Sequence, residues 1–362
     1  MRSPQQEAAL KAVMTWYRAG DKQVFRLYGY AGTGKTTLAR DFAAGVDGEV
    51  AFAAFTGKAA HVMRGKGCVN ATTIHGLIYL LEKEDENGNP IFVINLDSFA
   101  RHTRLIVIDE ASMVNEKIGR DLLRFRVPII VIGDPAQLPP VEGAGFFTTG
   151  EPDFMLTEIH RQARDSPIIK MATIVREGGL LAVGDYGDGS HVIHQKDYKD
   201  YKVEVEACDQ ILVGRNVTRR NINSGLRERY GRRGSYPLGG DKLVCLRNDY
   251  RRGFLNGSLW IVEQVVEASD DGPIVLRVAS EEGGAAVAAT THAGFFNHRP
   301  IPDPREYVNF DFGYALTVHK AQGSQWDDVV LHGEHNYFGA DARRWLYTGL
   351  TRAAKRIIAI KK

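Results

Sequence analysis

Gly29-Tyr30-Ala31-Gly32-Thr33-Gly34-Lys35-Thr36-Thr37 is the stretch whose reading decides this chain. It fits the pattern G-x-x-x-x-G-K-[ST] and has the flanks that pattern needs. Val24-Phe25-Arg26-Leu27-Tyr28 has the character of a short buried strand, and Thr37 to Ala44 that of a helix. Glycines let a backbone wrap closely around a triphosphate, while successive N–H groups and the positive end of a helix face its oxygens. Lys35 would then reach the β- and γ-phosphates, and the Thr36 hydroxyl would ligate magnesium. The bland alternative, a glycine-rich turn that binds nothing, leaves the lysine and both flanking elements unexplained.

Working outward, Glu7 to Arg18 has helical spacing of apolar positions, with Pro4 suited to a first turn. Strands are expected at 50–55, 105–108 and 127–132, alternating with helical segments, which argues for a doubly wound parallel sheet. The second of these runs into Asp109-Glu110 and the third into Gly133-Asp134-Pro135-Ala136-Gln137. Polar residues at the carboxyl ends of parallel strands are where such sheets bind ligands. Asp109 would hold magnesium, directly or through water, and Glu110 would deprotonate the attacking water. Between the strands, Glu82 to Pro90 is polar and contains Asn87-Gly88, a tight-turn signal before Ile91-Phe92-Val93-Ile94, so a protruding β-hairpin is expected.

After Glu151 the pattern restarts. Ile211 to Val213 reads as a strand and Asn216 to Tyr230 as a helix; 243–246, 259–266 and 274–278 read as a small all-β insertion. Residues 281–304 are assigned mostly to loop, and α/β character returns from Tyr314 to Ile360.

With 362 residues, two or more domains are expected. Hydrophobic content of 44% and charged content of 25% are ordinary for a soluble globular chain, and no apolar run reaches the length of a membrane span. Without a signal-like apolar segment at the start, a cytoplasmic location is the default expectation. Cys68, Cys208 and Cys245 are too few and too scattered for a zinc site or a disulfide framework. The net charge of +2 says little, but residues 215–252 are strongly basic and 263–282 acidic, which suits either a polyanion track with its back face or a solvated surface.

Several further blocks fall in a telling order. Thr56-Gly57-Lys58-Ala59-Ala60, Thr73-Ile74-His75, Asp109-Glu110-Ala111-Ser112-Met113-Val114 and Gly133 to Pro140 resemble the ordered motifs of superfamily-1 helicases. Leu156 to Gln162 resembles motif IV, Leu316 to Ser324 motif V, and Tyr347 to Ala353 motif VI. The chain is similar to the RecD/Dda-like branch of that superfamily over nearly its whole length.

That resemblance implies two RecA-like parallel-sheet cores, residues 1–155 and 156–362. It also implies a β-hairpin pin at about 77–103 and a small SH3-like β insertion at about 242–306. It implies ATP and Mg2+ as ligands, with Gln6 or its neighbour Gln5 reading adenine and Gln137 sensing the γ-phosphate. Arg161 and Arg352 would act as arginine fingers from the second core. Thr56, Lys58, His75, Thr317, His319 and Lys320 would contact the DNA backbone, as suits a motor that ignores sequence. His75 and His319 have a competing reading as packed neutral histidines. Phe92 on the hairpin would stack on a base, against the alternative of simple packing, and Gly323 would allow close backbone approach.

The expected activity is ATP-driven 5′→3′ movement on single-stranded DNA with unwinding of duplex or forked DNA, by a monomer working among replication or recombination proteins. The polarity rests on the resemblance alone. Two rivals are an ATPase subunit of a larger recombination or nuclease complex, and a single-strand translocase that does not unwind.

Overall fold

Ile129-Ile130-Val131-Ile132 shows how the first sheet is built. Ile129 and Val131 enter one buried cluster and Ile130 and Ile132 another, so a two-residue period feeds both faces of one strand. Leu105 to Ile108 divides in the same way. A sheet apolar on both faces must be covered on both, which is the layered α/β arrangement read from the sequence.

The computed structural model describes residues 2–84, 90–139, 145–159, 165–249 and 251–361. The first strands are β1 (Val24–Gly29), β2 (Val50–Ala54) and β3 (Thr72–Thr73), then the paired β4 (Tyr79–Glu84) and β5 (Pro90–Ile94), then β6 (Leu105–Asp109), β7 (Ile129–Gly133) and β8 (Phe154–Leu156). Six of them form a sheet of order β3-β2-β6-β7-β1-β8, parallel at every pairing. The helices of this region are α1 (Pro4–Ala19), α2 (Lys35–Ala43), α3 (Gly57–Gly65), α4 (Ile74–Ile78), α5 (Glu116–Leu123) and α6 (Pro167–Arg176).

Helix α1 begins where its sequence says it should. The Ser3 hydroxyl accepts from Gln6 N–H, the Gln6 side chain accepts from Ser3 N–H, and Pro4 occupies the first turn. Gly20 ends it in the left-handed conformation. Its inner face buries Ala9, Val13 and Trp16 against Phe25, Leu38 and Phe42. Each large side chain so buried contributes about 1.5–3 kcal/mol.

Later elements are β9 (Gly184–Gly187), β10 (Ser190–His194), α7 (Lys202–Glu206), β11 (Gln210–Val213), α8 (Asn216–Arg229), β12 (Lys242–Cys245), β13 (Leu259–Ala268), β14 (Pro273–Ser280) and β15 (Val287–His292). They continue with α9 (Ala293–Asn297), β16 (Phe310–Phe312), β17 (Ala315–Thr317), β18 (Trp326–His332), α10 (Ala342–Leu350) and β19 (Ala353–Lys361). One sheet runs β17-β11-β18-β19-β10-β9, and an antiparallel sheet runs β15-β14-β13-β12-β16.

Two compact units emerge from the packing. The first comprises Met1–Val192, Gln322–Gln325 and Phe338–Ile357; the second comprises Ile193–Ala321, Trp326–Tyr337 and Ile358–Lys362. Within the second, the antiparallel sheet has its own core of Phe254, Trp260, Leu276, Phe310 and their neighbours. There the buried Arg227 donates to both carboxylate oxygens of Asp241 and to the carbonyls of Gly234 and Tyr236.

Two local expectations need adjustment. The run 281–304, assigned mostly to loop, contains β15 and α9, because the Ala- and Thr-rich segment 287–292 pairs along β14. The hairpin strands pair antiparallel from Tyr79↔Ile94 to Glu84↔Pro90, while the Asn87-Gly88 turn lies outside the described residues.

Candidate nucleotide site

The loop between β1 and α2 is shaped by its own chemistry. Gly34 caps α2 with φ 80°, and a Cβ there would lie 2.8 Å from the Gln6 amide nitrogen, so glycine is required twice over. The Lys35 ammonium donates to the carbonyls of Gly29 (2.6 Å) and Tyr30 (2.9 Å) and lies 4.0 Å from Asp134. At the start of α2 the Thr36 hydroxyl donates to Asp109 Oδ2 at 2.9 Å. Hydroxyl and carboxylate thus stand side by side, a donor pair that suits a magnesium ion completed by phosphate and water oxygens. The Thr33 hydroxyl is turned inward onto the Tyr30 carbonyl, while Ala31, Gly32 and Thr37 line the same cavity as Lys35.

That cavity, about 330 Å3, brings together most of the hydrolytic residues read from the sequence. Lys35, Thr36, Asp109, Glu110, Gln137, Gly323 and Arg352 all line it. Every one belongs to the first compact unit, Gly323 and Arg352 through the returning segments 322–325 and 338–357.

Glu110 adopts φ 55°, a left-handed conformation few non-glycine residues take, and its N–H donates to Asp109 Oδ1 at 2.8 Å. Desolvation in this enclosure pushes its carboxyl above the usual range; Arg352 and Lys35 oppose the rise, and Asp109 and Asp134 add to it. The Gln137 side-chain oxygen is buried and has no hydrogen-bond partner among the described residues. An unsatisfied acceptor lining a polar cavity fits a site that receives a water or a phosphate hydroxyl. Arg352 is buried and held rigidly, donating to the carbonyls of Thr348 (3.1 Å) and Ser324 (3.1 Å) and to the Thr351 hydroxyl (3.3 Å). Gly323, at φ 74°, permits an approach in which a Cβ would stand 2.6 Å from the Thr56 hydroxyl.

Other residues are placed differently. Gln6 is buried beside the loop, but its amide group donates to the Thr33 carbonyl and accepts from Ser3, so it braces the loop from behind. The Gln5 oxygen accepts from the N–H groups of Thr157 and Glu158. Arg161 lies outside the described residues. The Thr56 hydroxyl caps α3 by accepting from Ala59 N–H, one residue after Lys58.

His75, Tyr79 and Phe92 form one ring cluster at the base of the hairpin, with centroids 5.2–6.2 Å apart. Burial there and Lys117 hold the His75 pKa below its usual value. In the second unit, Lys320 donates to the Asn256 side chain and its N–H to the Thr317 hydroxyl, with His319 between them in sequence. Burial lowers the Lys320 pKa.

Within the block that resembles motif VI, sequence reasoning gave Tyr347 and Thr348 no role of their own. Both are fully buried, and both hydrogen-bond to the nucleotide-site loops through their hydroxyls. A tyrosine at a helical position carries no signal that separates such a role from ordinary packing.

Parts of this chain match known protein families. Residues 1–197 match the family described as AAA domain, and residues 312–360 match the UvrD-like helicase C-terminal domain. The chain is 29% identical to the ATP-dependent RecD2 DNA helicase of Deinococcus radiodurans, over 92% of this chain and 46% of that protein. It therefore spans less than half the length of that relative. It is 25% identical to the conjugal transfer protein TraA of Rhizobium radiobacter, over 91% of this chain and 30% of that protein. The crystal structure of Bacteroides Pif1 bound to single-stranded DNA has the same fold, with a TM-score of 0.59 at 18% identity, covering 99% of this chain and 92% of that one. Among the described residues no helix is long and apolar enough to cross a membrane.

Proposed function

Because this chain belongs to the AAA-domain family, we propose that it is an ATP-driven DNA helicase of the RecD/Pif1-type branch of superfamily 1, moving 5′→3′ along single-stranded DNA. The observation that carries this reading is the convergence of Lys35, Glu110, Gln137 and Arg352 on one cavity. A phosphate loop alone would suit a kinase or a switch. A loop combined with a water-orienting glutamine and a buried guanidinium suits hydrolysis.

Lys35 and the N-terminus of α2 hold the β- and γ-phosphates. Thr36 and Asp109 hold magnesium, which when bound neutralises charge on the phosphate oxygens. Glu110 in its ionised form takes the proton of the attacking water, and Gln137 orients that water. Arg352 stabilises charge on the transferring group, joined in the same role by Arg161. Gln6, with its amide committed to the loop, supports the nucleotide site and reads adenine with whatever hydrogen-bonding capacity remains.

In this reading the cores 1–155 and 156–362 alternate their grip on the strand. Thr56, Lys58, His75 and Phe92 provide one set of DNA contacts, and Thr317, His319 and Lys320 the other. The paired strands β4 and β5 serve as the pin, and the antiparallel sheet around β13 as the SH3-like insertion. We place the protein in the cytoplasm as a monomer acting on single-stranded and forked DNA, beside replication or recombination proteins.

The test uses forks bearing only a 5′ or only a 3′ overhang, with the Lys35→Ala variant in parallel. Unwinding is expected with the 5′ overhang alone and from the unaltered chain alone. Hydrolysis stimulated by single strands without strand separation would instead identify a translocase.

A further inference from the structure

Two neighbouring hydroxyls on α10 hold the loop that follows β7 at two points. Tyr347 Oη donates to Asp134 Oδ2 at 2.8 Å, and Thr348 Oγ1 accepts from Leu138 N–H at 2.9 Å. The Leu138 carbonyl is fixed as well, by Gln322 Nε2 at 2.9 Å. Between the two anchored residues lies Gln137, whose buried side-chain oxygen has no partner among the described residues. Nothing in its own hydrogen bonding fixes that oxygen, so the loop that carries it must.

Tyr347 does a second thing. Its oxygen also accepts the Ala31 N–H, at 2.9 Å. Ala31 belongs to the phosphate loop, and Asp134, on the other side of the phenol, lies 4.0 Å from the Lys35 ammonium. One buried hydroxyl, in a side chain 1% exposed, therefore joins the phosphate loop to the loop carrying Gln137. Two residues beyond this helix comes Arg352, whose Nε donates to the Thr348 carbonyl at 3.1 Å.

We propose that Tyr347 is a positioning residue for phosphoryl transfer: its hydroxyl sets Gln137 and Arg352 in register with the phosphate loop. It is not among the residues that line the cavity. This rests on the hydrolytic reading above and adds to it a residue with no chemistry of its own. Removing the hydroxyl leaves Lys35, Thr36 and the amides of α2 in place, so ground-state nucleotide binding survives. Recognition of the transferring group, which needs Gln137 and Arg352 at the right spot, does not.

The experiment measures fluorescent ADP affinity for the full chain with and without aluminium fluoride, which together with ADP mimics the transferring phosphoryl group. Hydrolysis is followed alongside. Tyr347→Phe is expected to keep ADP affinity within about threefold and to lose about tenfold of the gain from aluminium fluoride, with kcat falling by a similar factor and KM nearly unchanged. Gln137→Ala should lose the same gain, and the double variant should lose less than the product of the two single losses, because part of the tyrosine's effect runs through Gln137. Thr348→Val, which breaks the other anchor, should repeat the pattern and keeps the test open should one variant fold poorly.

Full retention of the aluminium fluoride gain in Tyr347→Phe overturns the proposal. So do additive losses in the double variant, or ADP affinity falling in step with the gain in both anchor variants. An unaltered chain that binds ADP with no gain and no hydrolysis would instead defeat the hydrolytic reading itself.

Discussion

The Thr36 hydroxyl donates to Asp109 Oδ2 at 2.9 Å, tying the first turn of α2 to the end of β6. The pair sets a metal donor from the phosphate loop beside one from the neighbouring strand. Asp109→Asn keeps the shape and removes the one formal charge of that pair. Hydrolysis should fall by about 10²–10³-fold, while ADP affinity without metal stays near that of the unaltered chain. Isothermal titration with and without magnesium reads both quantities, and removal of the metal by a chelator should silence hydrolysis in the unaltered chain.

Glu110 supplies a pH signature. Its pKa is raised in the fold, chiefly by desolvation, so the native state keeps the proton to higher pH than the unfolded chain does. Between the two pKa values the native state binds more protons, and stability falls as pH rises. Glu110→Gln removes that penalty. The variant should melt higher than the unaltered chain at neutral pH and at the same temperature below about pH 4, where both states are protonated. Its kcat should drop by about 10²–10⁴-fold, and the acid limb of the unaltered chain should lie above that of an ordinary carboxylate.

Arg352 makes a different prediction, because its guanidinium satisfies three buried oxygens at once. Arg352→Lys keeps the charge and loses the fork. The lysine variant should therefore recover little of the hydrolysis lost in Arg352→Ala, with kcat down about 10²–10³-fold in both. The alanine variant should also lose about 2 kcal/mol of stability, from acceptors left unpaired. Urea denaturation combined with steady-state kinetics separates the two effects.

In the second unit, Asp241 tests structure alone. It accepts from Arg227, from Leu238 N–H and from the Tyr314 hydroxyl, and it is fully buried. Asp241→Asn leaves Arg227 as an uncompensated buried charge and should cost about 3 kcal/mol. If ADP affinity measured below the melting transition shifted as much as the stability, the change would not be the local one expected.

The parts of this molecule written in consecutive residues were readable in advance. The phosphate loop, Asp109-Glu110 after an apolar strand and Pro4 in the first turn of α1 each carry their signal within a few positions. Strand β15 was not readable, because Ala and Thr between glycines have no β signature until β14 offers a partner. Gln6 was placed at the nucleotide by the family resemblance, yet its use of the Thr33 carbonyl depends on a turn whose shape no motif encodes. Tyr347 stayed hidden for the same reason: its meaning comes from two loops more than two hundred positions upstream, joined at one oxygen.

The first compact unit is assembled from three separated pieces of chain, and its last contributions come from residues 338–357. Lys35 leaves the ribosome early, whereas Arg352 follows some 300 positions later, on the order of half a minute at about 10 residues per second. During that interval the nascent polypeptide carries the phosphate loop without the arginine or the tyrosine that complete the cavity. On the hydrolytic reading proposed above, a chain that still lacks this segment has the loop that holds the phosphates without the groups that complete the site.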